Sequence, residues 1–157
     1  MTAPEKDRAA VRVPPPLVFV LVVVAGVLLQ RWVLPLPLGL AGLHRPLAYG
    51  TFLLGVGLIA GAMVLFHRTG QNPEPWKSTP EVIFSGPYRI SRNPMYVGMA
   101  LFQVAAGLWM ANGWLLLLVP LSLFGVYRAA VRHEEAYLER KFGDAFREYK
   151  ASVRRWL

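Results

Sequence analysis

The sequence contains no cysteine and few acidic residues. The lack of cysteine excludes disulfides, thiolate zinc sites and a cysteine nucleophile, and it leaves the redox compartment undecided. The three histidines, His44, His67 and His133, have no partner at metal-ligand spacing, so we expect no metal site. Nine acidic side chains against 17 basic ones give a net charge of +8, so the chain is strongly basic.

Long stretches also lack any charge, and apolar residues are correspondingly abundant. They make up 55% of the 157 residues, or about 64% once glycine is counted, against about 45–50% on that count for soluble domains. A water-soluble surface cannot hide such an excess, so we expect lipid to cover part of it. The length suits one domain over residues 1–157, and the region before Pro14 does not resemble a cleaved signal peptide.

Three apolar stretches predict membrane helices. Residues 14–34 are interrupted only by Gln30 and Arg31, and residues 46–66 carry no charge. Each could form one span, which needs about 20 apolar residues. Residues 94–127 are also uncharged, but as one helix they would reach roughly 50 Å, too long for a single crossing.

A turn divides this third stretch. Asn112-Gly113 lies near its middle, flanked by Trp109 and Trp114, as expected for a turn at a membrane interface. The sequence therefore predicts two short helices, residues 95–111 and 114–131, joined in a hairpin. The predicted fold is all-α: a polytopic integral membrane protein with about four transmembrane helices.

The distribution of charge predicts the orientation. With the N-terminus in the cytoplasm, all nine acids and all basic residues except Arg31 and Arg45 lie on the cytoplasmic side. We therefore expect both termini in the cytoplasm and, in a bacterium, an inner-membrane location. Because the basic residues flank apolar spans, membrane lipids are the expected partner rather than nucleic acid.

The C-terminal tail, residues 128–157, follows the last predicted span. Aromatic and aliphatic residues recur there at helical spacing, which predicts a cytoplasmic amphipathic helix with Gly143 as a candidate interruption. The apolar positions are Tyr137, Leu138, Phe142, Phe146 and Tyr149.

Glycines in the second span match a dinucleotide-binding fingerprint in letters only, because no strand precedes them. Gly57 and Gly61 instead predict a small-residue face that lets two helices approach closely.

A first polar cluster lies at residues 86–98, where a loop enters the third apolar stretch. Asn93 and Pro94 suit an ordinary helix start, as N-cap and first helical residue. That interpretation does not explain the two arginines, Arg89 and Arg92, at the same place. Free helix amides beside arginines suit a carboxylate or phosphate.

A second cluster contains Glu134 and Glu135, directly after the last predicted span. They could form a solvated charged helix face. At this membrane depth, however, an acidic pair is costly without a partner. The partner could be Arg89 or Arg92, or a bound sulfonium or ammonium group.

Together the clusters resemble the isoprenylcysteine carboxyl methyltransferase family and the related phospholipid N-methyltransferases. The similar motifs are Gly-Pro-Tyr-Arg-x-x-Arg-Asn-Pro-x-Tyr-x-Gly, the acidic pair after a helical hairpin, and Phe-Gly-Asp-x-Phe-x-x-Tyr in the tail. The resemblance covers residues 80–157, which would be the cofactor-binding core, whereas residues 1–79 would supply two spans and a loop. Asn93 stands where many members have histidine, and Phe146 where many have tyrosine.

The resemblance implies S-adenosylmethionine as cofactor and a lipidic or hydrophobic methyl acceptor, either a carboxylate or a phospholipid amine, at the cytoplasmic membrane face. It implies catalytic or substrate-contacting roles for Arg92, Arg132, Glu134 and Glu135. The alternative is a non-enzymatic membrane subunit or lipid-binding scaffold in which the glutamates only pair with the arginines. The oligomeric state stays open. The implied cofactor-binding residues are Val82, Ile83, Tyr88, Asn93, Pro94, Met95 and Tyr96.

Overall fold

The computed structural model describes residues 9–11, 13–74 and 77–157. The regular secondary structure of this part of the chain is helical, apart from one isolated β-bridge between Pro37 and Asn112. The helices are α1 (Pro15–Leu28, continued by a π-helical segment, Leu29–Val33), α2 (His44–Arg68), a 3-10 turn (Gly86–Arg89), α3 (Pro94–Trp109), α4 (Gly113–Leu117), α5 (Val119–Val126, continued by a second π-helical segment, Tyr127–Val131), α6 (Arg132–Phe142) and α7 (Asp144–Ser152).

Two described helices are long and apolar enough to cross a membrane, namely Pro15–Val33 and His44–Arg68. They coincide with the first two predicted spans. Helix α3 has 16 residues, and the helix after it is broken at Leu118. The all-helical fold is confirmed. The expectation of about four transmembrane helices is not confirmed, because only two described helices are long enough to cross a membrane and the predicted hairpin consists of shorter ones.

The hairpin turn lies at the predicted dipeptide. The side chain of Asn112 is the N-cap of α4, since its Oδ1 accepts a hydrogen bond from the Trp114 amide at 3.0 Å. Its Nδ2 also donates to the Gly26 carbonyl of α1 at 3.3 Å. The turn is therefore anchored to the first helix.

A buried polar pair joins the two arms of the hairpin. Gln103 Nε2 donates to the Leu115 carbonyl at 2.9 Å, and Ser122 Oγ donates to Gln103 Oε1 at 2.5 Å. Unsatisfied polar groups cost several kcal/mol in an apolar environment. These bonds therefore satisfy the amide of Gln103, which is only 2% exposed.

Helices α2 and α3 pack closely at a glycine pair. A Cβ atom on Gly55 would lie 3.0 Å from the Gly98 carbonyl oxygen, and one on Gly98 would lie 3.0 Å from that of Gly55. The prediction that Gly57 and Gly61 form a helix-contact face is wrong. Gly57 has no atom within 4 Å of its Cβ position, and Gly61 faces Pro87 of the 3-10 turn.

The predicted amphipathic tail forms two helices. Gly143 separates α6 from α7 with a φ of +54°, which glycine adopts without steric cost. Tyr137, Phe146 and Tyr149 are buried as the spacing predicts. Residues 153–157, the C-terminal segment, are not helical and lie beside the residues that precede α3.

Candidate active site

A cavity of about 330 Å³ lies between the loop after α2, the start of α3 and helices α6 and α7. These elements meet because the α3–α5 hairpin reverses the chain, so that α6 begins near the first turn of α3. Nine of the residues predicted for the site line this cavity: Val82, Ile83, Tyr88, Arg92, Asn93, Met95, Tyr96, Glu134 and Glu135.

Two predicted site residues lie elsewhere. Pro94 is buried in the first turn of α3 and does not line the cavity. Arg132 is exposed on α6, where its Nε donates to His133 Nε2 at 3.2 Å. The structure therefore does not bring Arg132 to the glutamates, because at the start of α6 it points to another side of the helix.

Asn93 takes the N-cap position of α3 without capping it through its side chain. Its Nδ2 instead donates to the Arg155 carbonyl at 3.0 Å, and its own amide donates to Ser91 Oγ at 3.1 Å. The ordinary cap predicted from the sequence is thus replaced by a link to the C-terminal segment.

Glu135 is held by two arginines. Arg155 donates through Nε to Oε1 at 3.0 Å and through Nη2 to Oε2 at 2.9 Å. Arg92 Nη2 lies 3.1 Å from Oε1, and its Nη1 donates to the Lys150 carbonyl at 3.0 Å. Charge-assisted bonds of this kind are stronger than bonds between neutral groups. Arg92 is therefore the loop arginine that pairs with the acidic cluster, whereas Arg89 is exposed.

Glu134 has a different environment. Its Oε1 accepts a hydrogen bond from the Tyr96 hydroxyl at 2.5 Å. Burial raises the pKa of Glu134 to about 7; the neighbouring Glu135 charge adds to this effect, and the Tyr96 bond opposes it. A carboxyl with a pKa near neutrality suits proton exchange. The two adjacent glutamates thus differ in their partners, since Glu135 contacts two arginines whereas Glu134 contacts one neutral hydroxyl.

Two buried side chains at the cavity have unused polar atoms. Among the described residues, Gln71 has neither amide atom bonded, and Arg92 has its Nε unbonded. Gln71 is 7% exposed. Buried polar groups normally have partners, so these atoms point to a polar ligand. Gln71 was not predicted as a site residue, because a Gln-Asn-Pro stretch is typical of an ordinary loop.

Tyrosines join the loop to the C-terminal helices. Tyr149 donates to the Tyr88 carbonyl at 2.7 Å, and burial raises the pKa of Tyr149 to about 12. Burial likewise raises the pKa of Tyr88, so both hydroxyls stay protonated. Tyr137 accepts from the Thr79 amide at 3.1 Å. These bonds close one side of the cavity.

The charge lining the cavity is mostly acidic. The charged residues among its described lining are Glu74, Glu81, Arg92, Glu134 and Glu135. Arg155 offsets part of this charge through Glu135, and Lys77 lies 2.8 Å from Glu74. An acidic, partly enclosed cavity favours a cationic ligand.

Residues 43–145 match the phospholipid methyltransferase family. The chain belongs to this family. A protein-S-isoprenylcysteine O-methyltransferase from Schizosaccharomyces pombe is 28% identical over 112 residues, which are 70% of this chain and 48% of that protein. The chain thus spans about half of the yeast enzyme. An uncharacterized protein from Haemophilus influenzae is 41% identical over 63 residues, which are 40% of this chain and all of that protein.

No solved structure matches the chain. The family match confirms the recognition made from the two polar clusters. Together with the two long apolar helices, it indicates a membrane-associated protein of a methyltransferase family.

Proposed function

We propose that this protein is an S-adenosylmethionine-dependent methyltransferase that acts on a lipidic acceptor at the cytoplasmic membrane face. The observation that carries the proposal is the cavity itself. It combines buried, unpartnered polar atoms on Gln71 and Arg92 with a titrating carboxyl on Glu134. A non-enzymatic scaffold that needed these residues only for ion pairing would give no role to the unbonded amide of Gln71.

The cavity residues fit the cofactor by chemical class. S-adenosylmethionine carries a carboxylate, an ammonium, a sulfonium and an adenine ring. Arg92 Nε would donate to the carboxylate, and the Gln71 amide offers a donor and an acceptor to the nucleoside. The apolar lining, which includes Val82 and Ile83, would pack against the flat parts of the ligand. The volume of about 330 Å³ lies within the range of small-molecule sites.

The bound cofactor would supply an electrophilic methyl group. The protein must then align the acceptor with that methyl group and exclude water. An amine acceptor must also lose a proton, so that its lone pair can form the new N–C bond while the C–S electron pair stays on sulfur. The Glu134 carboxylate would receive that proton, directly or through water.

The lining favours an amine over a carboxylate acceptor. A carboxylate acceptor would enter a cavity lined by four glutamates, and the unbonded Arg92 Nε is already assigned to the cofactor carboxylate. An ammonium group would be attracted there and could pass its proton to Glu134. We therefore propose a phospholipid amine as the acceptor, with an isoprenylcysteine carboxylate as the second candidate that the yeast relative supports.

The test uses purified full-length protein in lipid nanodiscs. Calorimetry with S-adenosylhomocysteine should show saturable binding. Radiolabelled methyl transfer to phosphatidylethanolamine should exceed transfer to a prenylated cysteine analogue, and the label should resist mild base. Base-labile label released as methanol would instead identify a carboxylate acceptor. No binding at millimolar ligand and no transfer to either acceptor would reject the enzyme in favour of a scaffold.

A further inference from the structure

The C-terminal segment is bonded to the residues that precede α3. The Arg154 carbonyl accepts from the Arg92 amide at 3.0 Å. The Arg155 carbonyl accepts from Ser91 Oγ at 3.1 Å and from Asn93 Nδ2 at 3.0 Å. Two successive carbonyls of this segment therefore fix the backbone on which Arg92 is carried.

The segment is also anchored by packing. Trp156 contacts the buried cluster of Phe19, Ala100, Val126 and Ala130. These backbone bonds and this ring contact do not involve the Arg155 side chain. Its removal should therefore leave the segment in place.

The Arg155 side chain is directed at the site. It binds both oxygens of Glu135, and its guanidinium lies 4.8 Å from the centre of the Tyr127 ring. The Arg155 side chain is 35% exposed, whereas that of Glu135 is only 12% exposed. Arg155 thus approaches from the outer side and neutralises a carboxylate that faces the cavity.

We propose that Arg155 is a positioning residue for methyl transfer, acting through Glu135 on Arg92 and Glu134. This inference rests on the proposed function. With Arg155 in place, Glu135 uses only one Arg92 nitrogen, and Arg92 Nε stays free for the ligand. Without Arg155, Arg92 is the remaining described ion-pair partner of Glu135, through Oε1, and the Glu135 charge acts more strongly on Glu134.

The effect of removing Arg155 on Glu134 depends on every charged or ionisable group around the two glutamates. Glu134 faces the Tyr96 hydroxyl from α3 and the electrostatic influence of Glu135. Loss of the Arg155 charge strengthens that influence and moves proton release from Glu134 to higher pH. The groups around the pair are Tyr88, Arg92, Tyr96, Tyr127, Tyr149 and Arg155.

Three variants test the proposal. Arg155→Gln removes the charge and the two-pronged contact, and Arg155→Lys keeps the charge alone. Arg154→Gln is the control, because the Arg154 side chain is exposed and its carbonyl makes the structural bond. For each we would measure kcat and KM for methyl transfer, its pH profile, S-adenosylhomocysteine affinity and Tm.

We expect Arg155→Gln to lower kcat at pH 7 by about tenfold or more, and to move the acidic limb of the pH profile upward, with Tm nearly unchanged. Arg155→Lys should recover part of the loss, and Arg154→Gln should behave like wild type. In the double variant with Glu135→Gln, loss of Arg155 should add little, because residues that act as a unit are non-additive.

Normal turnover in Arg155→Gln, or fully additive losses in the double variant, would overturn the inference while the wild-type activity stood. A loss of kcat that tracks a fall in Tm in both Arg155→Gln and Arg155→Lys would show a structural role and would also overturn it. A wild-type protein without ligand binding or methyl transfer would reject the proposed function, and the inference with it.

Discussion

The Tyr96 hydroxyl donates a 2.5 Å hydrogen bond to Glu134, and so joins the first turn of α3 to the first turn of α6. Thirty-eight residues and a helical hairpin separate the two in the chain. The bond brings the two polar clusters of the sequence to one cavity. It also favours ionisation of Glu134, but burial outweighs this one hydrogen bond and raises the pKa of the carboxyl to about 7.

The pH dependence of activity follows from Glu134. Its pKa of about 7 lies above the ordinary value, so methyl transfer to an amine should rise between about pH 6 and 8 as the carboxylate forms. Glu134→Gln should lower kcat by about 100-fold or more and should abolish this rise. Steady-state kinetics over that pH range would check it. A Glu134→Gln enzyme that keeps the wild-type profile would contradict the role.

The raised pKa of Glu134 also predicts that the stability of the protein falls as pH rises, whereas its activity rises. A carboxyl whose pKa is raised in the folded state opposes folding once it is charged, so its stabilising effect is complete below pH 4.5 and is lost as pH rises through about 7. Glu134→Gln should therefore gain stability relative to wild type at pH 8 but not at pH 5. Thermal unfolding in detergent at both values measures this. An equal effect of the substitution at both pH values would rule it out.

Two buried glutamines should respond oppositely to substitution by leucine. Gln71→Leu removes an amide without partners, so we expect unchanged or higher Tm but at least about tenfold weaker S-adenosylhomocysteine binding. Gln103→Leu removes the bonds to Leu115 and Ser122, so Tm should fall while ligand affinity stays near wild type. Calorimetry and thermal unfolding on both proteins make the comparison. Normal affinity in Gln71→Leu would show that its amide does not contact the ligand.

The glycine pair between α2 and α3 should be intolerant of a methyl group. In Gly98→Ala the new Cβ would lie 2.6 Å from an Ile59 side-chain atom and 3.0 Å from the Gly55 carbonyl, so the helices must separate. We expect a loss of about 1–3 kcal/mol in unfolding free energy. Gly57→Ala, with no atom within 4 Å, is the control and should gain up to about 1 kcal/mol from helix propensity. Equal stabilities of the two variants would exclude the close approach.

The proposed orientation can be tested by cysteine labelling, since the chain has no cysteine of its own. Arg89→Cys and Glu148→Cys lie near the cavity side, and Arg45→Cys lies at the start of α2. A membrane-impermeant maleimide should label position 45 in intact cells and the other two only after the membrane is opened. Labelling of positions 89 and 148 from different sides would exclude a shared cytoplasmic site.

Short sequence patterns predict part of the site. The Asn112-Gly113 dipeptide predicts the turn of the hairpin. Because the hairpin reverses the chain, Arg92 and Glu134 lie at the same end of the helices and line one cavity. Gln71 and Arg155 were not predicted, because their contacts depend on how segments far apart in the chain pack together. No local residue spacing encodes that packing. Arg155 meets Glu135 across 20 residues and a glycine break.

The rotation of each helix about its own axis could not be predicted from the sequence either. Gly55, Gly57 and Gly61 all lie in one apolar helix, and nothing in its own sequence shows which face meets α3. The contact forms at Gly55 because Gly98 of α3, which is also a small residue, lies opposite it. Likewise, Arg132 and Glu135 are only three positions apart on α6, but Glu135 lines the cavity whereas Arg132 is exposed and does not.

The hydrogen bonds from Ser91 and Asn93 to the Arg155 carbonyl join residues 64 and 62 positions apart. Contacts of such separation form late in folding, because the intervening chain must first be ordered at a cost in entropy. During refolding, native helix content should thus be reached before the ability to bind ligand. A kinetic intermediate with native circular dichroism but no affinity for S-adenosylhomocysteine is the expected signature of this order.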